Sequence, residues 1–378
     1  MRSITALLAT LFILLSTTQK TFSQEFQLSD KAFVSLLTCG PGNELYSVFG
    51  HTALRINDPV TGIDAVFNYG TFDFDTPNFY LKFVKGDLQY FVSASSYQDF
   101  VYTYQYYNRD VYEQRLNLSH DQVEHIANKL RITLTSNDRF YTYKYFERNC
   151  TTMVADILDT YIPEKIAFKT KDKGKTYRKV VTEYLDNAFY ENLGISLIFG
   201  SPTDRPIERL FLPEQLLEGV SSTQIATGSL AQPVVTVYKS TATRKASAWN
   251  NYYTYIIACL VLLFLSRNKI VHRTLLALLG LLGLFFYVVG AYSFHAEISY
   301  NYNALLINPL FLAMLYFIFT GRATAAKYTV YTCFGCIAIY IAILLNKPYL
   351  VLVLPLIALI SGLLIKVINP QIFKVKTA

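Results

Sequence analysis

Phe140-Tyr141-Thr142-Tyr143-Lys144-Tyr145-Phe146 runs directly into Glu147-Arg148-Asn149-Cys150-Thr151-Thr152, and the reading of this junction decides the fold. Tyr141, Tyr143 and Tyr145 recur at period two, the pattern of a strand. Beyond the junction, Val154, Ile157, Leu158 and Tyr161 fall at i, i+3, i+4 and i+7, which gives one apolar helical face; Pro163 ends it. Cys150 therefore stands where a strand passes into a helix, in the first helical turn. Orphan N–H groups and the helix dipole at that end favour negative charge, which lowers a thiol pKa and makes a nucleophile. Two plainer readings stand beside this one: a core cysteine, or half of a disulfide. A histidine placed to take the thiol proton separates them.

The best partner is His51, in Phe49-Gly50-His51-Thr52-Ala53-Leu54-Arg55-Ile56. On a strand, His51, Ala53 and Arg55 share a face. Asn57-Asp58-Pro59 turns the chain, and 65–69 can return as a hairpin that brings Asn68 and Tyr69 level with His51. A side-chain carbonyl there would orient the imidazole as third member of a Cys–His–polar triad, with Asp73 as another candidate. Asn149 and the Cys150 amide are the natural oxyanion donors. The one CxxC, Cys333-Phe334-Gly335-Cys336, lies inside a long apolar run where packing is the expected use, and no HxxxH or HxH spacing occurs, so neither metal nor cofactor is expected. Cys39 has three open readings: a disulfide partner for Cys150, a second thiol in the site, or a buried loop residue.

The 378 residues are 52% hydrophobic, unevenly spread. From residue 251 onward nine Lys/Arg face one acid, Glu297, a net +8, so residues 1–250 carry −1 of the total +7. That basic charge orients a membrane segment, and no basic run with interleaved aromatics argues for nucleic acid. Residues 1–23 read as a signal peptide, with Arg2 before an apolar core of about a dozen residues. Residues 24–240 form an exported α+β domain. Its expected strands are 49–56, 65–69, 79–83, 89–93, 111–116, 140–146 and 234–238; its helices are 97–107, 120–132 and 151–161, with a capping box at Ser119 and Gln122. Residues 241–250 are a linker. Residues 251–378 hold five apolar segments, 252–266, 274–294, 304–320, 328–345 and 349–367, an all-α membrane bundle. Arg267, Lys269, Arg273, Arg322, Lys327, Lys366, Lys374 and Lys376 fall on one side of it, which places the exported domain on the other. The loop 293–303 then faces the side of Cys150, where His295, Asn301 and Asn303 either line a headgroup site or make an ordinary interfacial loop.

Taken in order, Thr38-Cys39-Gly40-Pro41-Gly42, Phe49-Gly50-His51-Thr52-Ala53-Leu54-Arg55, Asn68-Tyr69-Gly70-Thr71-Phe72-Asp73-Phe74, Arg148-Asn149-Cys150-Thr151-Thr152, Asp204 and Phe211-Leu212-Pro213 resemble the Lnb family. The likeness extends to the 295–303 loop and Asn308-Pro309. It implies a Bacteroides-type lipoprotein N-acyltransferase of the inner membrane, multi-pass, with its N-terminal domain in the periplasm. The order His before Asn-Cys resembles circularly permuted papain-like (NlpC/P60-like) thiol domains. Cys150 is then implied as nucleophile and His51 as general base and acid. Cys39, Arg55, Tyr69, Asp73, Asp204, His295, Asn301 and Asn303 stand as substrate-binding candidates. Membrane phospholipids would be the acyl donor and diacylated lipoproteins the acceptor. The alternatives are a membrane-anchored NlpC/P60-type cell-wall amidase, and a non-enzymatic envelope scaffold with Cys39 and Cys150 disulfide-bonded.

Overall fold

The computed structural model describes residues 27–242 and 247–369. The expected signal at 1–23, the middle of the linker, and Lys374 and Lys376 lie outside the described residues. The N-terminal part runs β1 (Phe33–Cys39), β2 (His51–Asp58), β3 (Ile63–Thr71), α1 (Phe79–Lys85), β4 (Gln89–Ser96), α2 (Tyr97–Tyr106), β5 (Val111–Arg115), α3 (His120–Thr135), β6 (Phe140–Thr142), α4 (Cys150–Tyr161), α5 (Tyr177–Tyr184), α6 (Phe189–Ile198), α7 (Pro213–Ser222), the short hairpin β7 (Gln224–Ile225) and β8 (Gly228–Ser229), and β9 (Val235–Tyr238).

Seven strands form one antiparallel sheet, in the order β6-β4-β3-β2-β1-β5-β9. Side chains alternate between its faces. Leu36, Leu54, Phe67 and Val92 pack on one face under Val123, Ile126 and Leu130 of α3 and Val154 and Leu158 of α4. Leu37, Cys39, Ala53 and Val66 pack on the other, under Phe100 of α2. The β2–β3 turn is tied by buried Asp58, whose carboxylate accepts from Ser29 N (2.8 Å), Ser29 Oγ (2.6 Å) and Val60 N (3.0 Å). That hairpin pairs Ala53 with Asn68, and β3 leaves β2 beyond it, where Gly70 takes φ 87°.

Three expectations are corrected. Residues 79–83 are helix α1, not a strand. Phe79, Tyr80 and Leu81 are consecutive rather than alternating, and left-handed Asn78 (φ 58°) and Gly86 (φ 77°) close the two ends, with the Gly86 N–H returned to Lys82 O and Phe83 O. The strand before Cys150 stops at Thr142, because a turn closed by the Lys144–Arg148 bridge lifts the chain off the sheet. Cys39 ends a buried strand, β1, rather than lying in a loop.

The remaining helices are α8 (Tyr252–Leu265), α9 (Lys269–Tyr292), α10 (Leu310–Phe319), α11 (Ala323–Leu344) and α12 (Tyr349–Ile368). Each falls within or overlaps one of the five apolar segments, but of the third, 304–320, only Leu310–Phe319 is α-helix. By length and composition three of them, α9, α11 and α12, can cross a membrane; α10 with the helical turns before it, bent by 41°, makes a fourth if the pair counts as one span, and α8 has 14 residues.

The loop between α9 and α10 locks the two parts together. Buried Asn303 donates to Leu197 O (3.0 Å) and Ser196 O (3.2 Å) of α6 and accepts from the Tyr340 (2.8 Å) and Tyr349 (2.9 Å) hydroxyls. Asn301 donates to Leu197 O (2.9 Å) and Ile198 O (3.0 Å). Asp204 accepts from Arg178 (2.6 Å), Lys347 (2.6 Å) and the Tyr302 hydroxyl (3.0 Å). Burial pushes the Asp204 carboxyl up, but Arg178 and Lys347 outweigh it and hold the group below the usual carboxylate range. A depressed native pKa stabilises above the unfolded value and is lost as pH falls, so this tie holds at neutral pH and weakens below about pH 4. Asp204→Ala leaves two cations facing each other, an expected cost of about 3 kcal/mol. The check is the thermal midpoint of the full chain in detergent, which falls at pH 7 and differs less from the parent at pH 3.5.

Candidate active site

Asn149 is the N-cap of α4. Its Oδ1 accepts from Thr151 N and Thr152 N, both at 2.9 Å, and Thr152 Oγ1 accepts from Asn149 N at 2.8 Å, a reciprocal capping box. Its Nδ2 donates to Tyr145 O (2.8 Å) and Phe211 O (2.9 Å). One buried amide thus joins the turn before α4, the start of α4 and the Phe211-Leu212-Pro213 corner. Both amide hydrogens are used, so the oxyanion role expected of this side chain is closed to it. The Cys150 N–H is different: among the described residues no acceptor takes it.

His51 opens β2 immediately after Gly50 (φ 85°). Its Nε2 lies 3.2 Å from Asn68 Oδ1. An amide oxygen only accepts, so that bond puts the proton on Nε2 and leaves Nδ1 as the basic nitrogen. The hairpin return thus brings Asn68 to the imidazole; Tyr69 points to the opposite face, into the core, and Asp73 is exposed, closing a local turn with Asp75 N (2.9 Å).

The half-buried Cys150 thiol feels opposing influences. Burial pushes its pKa up; the His51 charge and hydrogen bond, the Thr52 N–H and the Thr151 hydroxyl pull it down, and the net direction is below the ordinary thiol value. Thr52 can serve the sulfur because β3 has left the ladder there, and its hydroxyl also pins α4 through Thr151 Oγ1 at 3.1 Å. Gly70 serves through its backbone rather than by making room: a Cβ there would meet the Cys150 Cβ at an ordinary 3.6 Å, but φ 87° disfavours any side chain.

Cys39 pairs directly across from His51 on β1. It is a free, buried thiol, as Cys150 is a free thiol, so no disulfide joins them. Burial drives the Cys39 thiol far up, despite Arg109 and Tyr104 nearby. The Tyr104 ring lies parallel to the His51 imidazole, centroids 6.4 Å apart, and carries the Arg109 guanidinium 4.7 Å from its centre. Tyr141 is buried with a hydroxyl that finds no hydrogen-bond partner; Gly70 N–H and Cys150 are its polar neighbours, and burial holds it protonated. Thr52, Tyr104, Arg109 and Tyr141 are site residues that sequence reasoning passed over. For Tyr141 a signal existed in its place on the strand leading to Cys150.

Other expected positions are not brought to the thiol. Arg55 is held by Asp64 (2.7 Å) and Glu113 (2.9 Å) and lies 3.4 Å above the Tyr97 ring, so it knits the sheet to α2. Asp204, Asn301 and Asn303 belong to the interdomain tie. His295 bonds Phe83 O (2.8 Å) at the end of α1. Among the described residues no three His, Cys, Asp or Glu side chains are grouped to hold a metal ion.

Residues 18–183 match the family model described as Lnb N-terminal periplasmic domain. No curated protein and no solved structure matches the chain.

A lowered thiol pKa is a rate that can be read. Iodoacetamide should alkylate Cys150 with a pH midpoint below that of a free cysteine, and His51→Ala should move the midpoint up. Cys39 should stay unmodified until the protein is denatured. Peptide mapping by mass spectrometry distinguishes the two thiols.

Proposed function

We propose, from the premise that the chain belongs to the Lnb family, that it is a thiol-dependent lipoprotein N-acyltransferase. The observation that carries the reading is the Cys150–His51–Asn68 arrangement at the N-terminus of α4, on a domain tied to apolar helices of membrane-crossing length. The fold is read as a permuted papain-like thiol domain followed by a five-span bundle in the inner membrane.

The acyl group moves in two steps. The Cys150 thiolate attacks the carbonyl carbon of a phospholipid acyl ester, forming a C–S bond. The C–O bond breaks as the imidazolium of His51 gives its proton to the leaving lysophospholipid oxygen. The α-amine of a diacylglyceryl-cysteine lipoprotein then attacks the thioester. His51 takes a proton from that nitrogen, an amide C–N bond forms, and the Cys150 thiolate departs. In each tetrahedral intermediate the oxyanion is met by the Cys150 N–H, which no acceptor among the described residues takes, and by the Tyr141 hydroxyl, which has no hydrogen-bond partner and interacts electrostatically with Cys150. Asn68 holds the imidazole through Nε2, so Nδ1 shuttles the proton in both steps. Both substrates are lipids held in one leaflet, and a membrane-tethered thiol meets them at high effective concentration. A cell-wall amidase would need one anchoring helix, and the five apolar helices packed into a core of their own argue against it.

Cys150→Ala should abolish N-acylation in cells that depend on this chain, with lipoproteins accumulating in the diacylated form. Mass spectrometry of their N-terminal peptides decides this, and persistence of the triacylated form would refute the reading. Tyr141→Phe keeps the ring but removes the donor. It should lower kcat about 100-fold with KM for the phospholipid nearly unchanged. A change confined to KM would remove Tyr141 from the oxyanion site.

A further inference from the structure

Helix α1 is unusual for a surface helix: none of its seven residues is buried. Tyr80 is 76% exposed, Leu81 72% and Phe83 48%, and Phe74 just before it is 60% exposed. Scattered apolar residues on a surface need no explanation, but four on one short segment do. Their position supplies it. The C-terminal end of α1 is bonded to the C-terminal end of α9, one of the helices long enough to cross a membrane. Phe294 N donates to Lys85 O (2.7 Å) and Ser293 Oγ to Val84 O (2.8 Å). The exposed face of α1 thus continues the apolar surface of α9, where Tyr287, Val288 and Tyr292 are also exposed. Basic groups collect at the same level. Lys82 and Lys85 lie in the last turn of α1, and Lys144 donates to Phe294 O at 2.6 Å. Aromatic rings over apolar residues, ringed by lysines, suit the boundary between acyl chains and phosphate headgroups.

The face also leads to the thiol. Phe79 of α1 meets Phe72 (5.9 Å between centroids), Phe72 meets Tyr90 (5.3 Å), and Tyr90 stacks on Tyr143 (4.4 Å). The Tyr143 ring edge and the Cys150 Cβ both stand within 4.0 Å of the position a Gly70 Cβ would occupy.

We propose that α1 and Phe74 are immersed in the leaflet at the C-terminal end of α9, and that the aromatic ledge from Phe79 to Tyr143 conducts the acyl chain of the donor phospholipid to Cys150. The second half rests on the acyl-transfer reading; the first does not. Immersion is measured on the full chain in vesicles of phosphatidylcholine brominated on its acyl chains. In a Trp249→Phe background, which removes the one native tryptophan, Leu81→Trp should be quenched nearly as strongly as Leu284→Trp on α9. Val60→Trp, in the β2–β3 turn at the far end of the sheet, should be quenched little. Quenching of Leu81→Trp no stronger than that of Val60→Trp overturns the immersion of α1. Conduction is measured with Leu81→Asp and Tyr80→Asp. Transfer from vesicle phospholipid should fall at least tenfold, while iodoacetamide alkylation of Cys150 stays at the parental rate, which certifies the fold of the site. Undiminished transfer in both variants overturns the conducting role. If Cys150→Ala itself retains transfer, the acyltransfer reading fails, and the quenching result still decides immersion.

Discussion

The arrangement depends on one constraint: the first turn of α4 must be capped without using the Cys150 N–H. Asn149 meets it by accepting from the next two N–H groups with one oxygen. Its amide nitrogen then anchors two loops distant in sequence, at Tyr145 and Phe211. An aspartate could cap the helix equally well, but it has no hydrogens for those carbonyls and would leave both unpaired and buried. An uncapped start would fray, and with it the direction of the thiol. The cap thus couples helix stability, loop position and the reactivity of the next residue in a single buried amide.

The thiol is also positioned from the membrane side. Phe146 N donates to Glu297 Oε1 at 3.3 Å, and the Glu297 carbonyl accepts from Gly200 N at 2.8 Å. Lys144 reaches Phe294 O from the same turn. The segment between β6 and α4 is therefore held between the sheet and the loop joining α9 to α10. Gly200 is required for this closeness, since a Cβ there would fall 1.7 Å from Ser299 O. The exported part is not a freely tethered domain, and the turn that leads to Cys150 shares a hydrogen-bonded frame with the apolar helices.

The α+β class, the two-part organisation, α4 and the β2–β3 hairpin were legible in the sequence, because each rests on local periodicity or turn chemistry. His51 with Asn68 was legible for the same reason: a hairpin brings neighbours in sequence to neighbouring places in space. What stayed hidden is long-range. Tyr104 and Arg109 come to His51 only through packing of α2 on the far face of the sheet. Arg55 looked chemical because it shares a strand face with His51, yet Asp64 and Glu113 consume its donors. Residues 79–83 misled because Phe79-Tyr80-Leu81 is an apolar run too short to show a period before Lys82 and Phe83, and only the left-handed residues at either end decide between helix and strand. The loop at 293–303 was legible in position but not in use: Asn301 and Asn303 are spent on joining the two parts.

Two reduced thiols on either side of one imidazole, in a periplasmic domain, raise the matter of oxidation. Exchange and disulfide closure both need a thiolate as attacker. Cys150 supplies one readily, but Cys39, its neighbour across His51, is held so firmly protonated that it offers almost none. A Cys150 oxidised to the sulfenic acid therefore finds no ready resolving thiol in Cys39. Its recovery depends on an external reductant small enough to reach a half-buried sulfur, and without one the next oxidation is irreversible. The burial that keeps Cys39 out of the chemistry also makes the lifetime of this protein a function of the reducing systems around it.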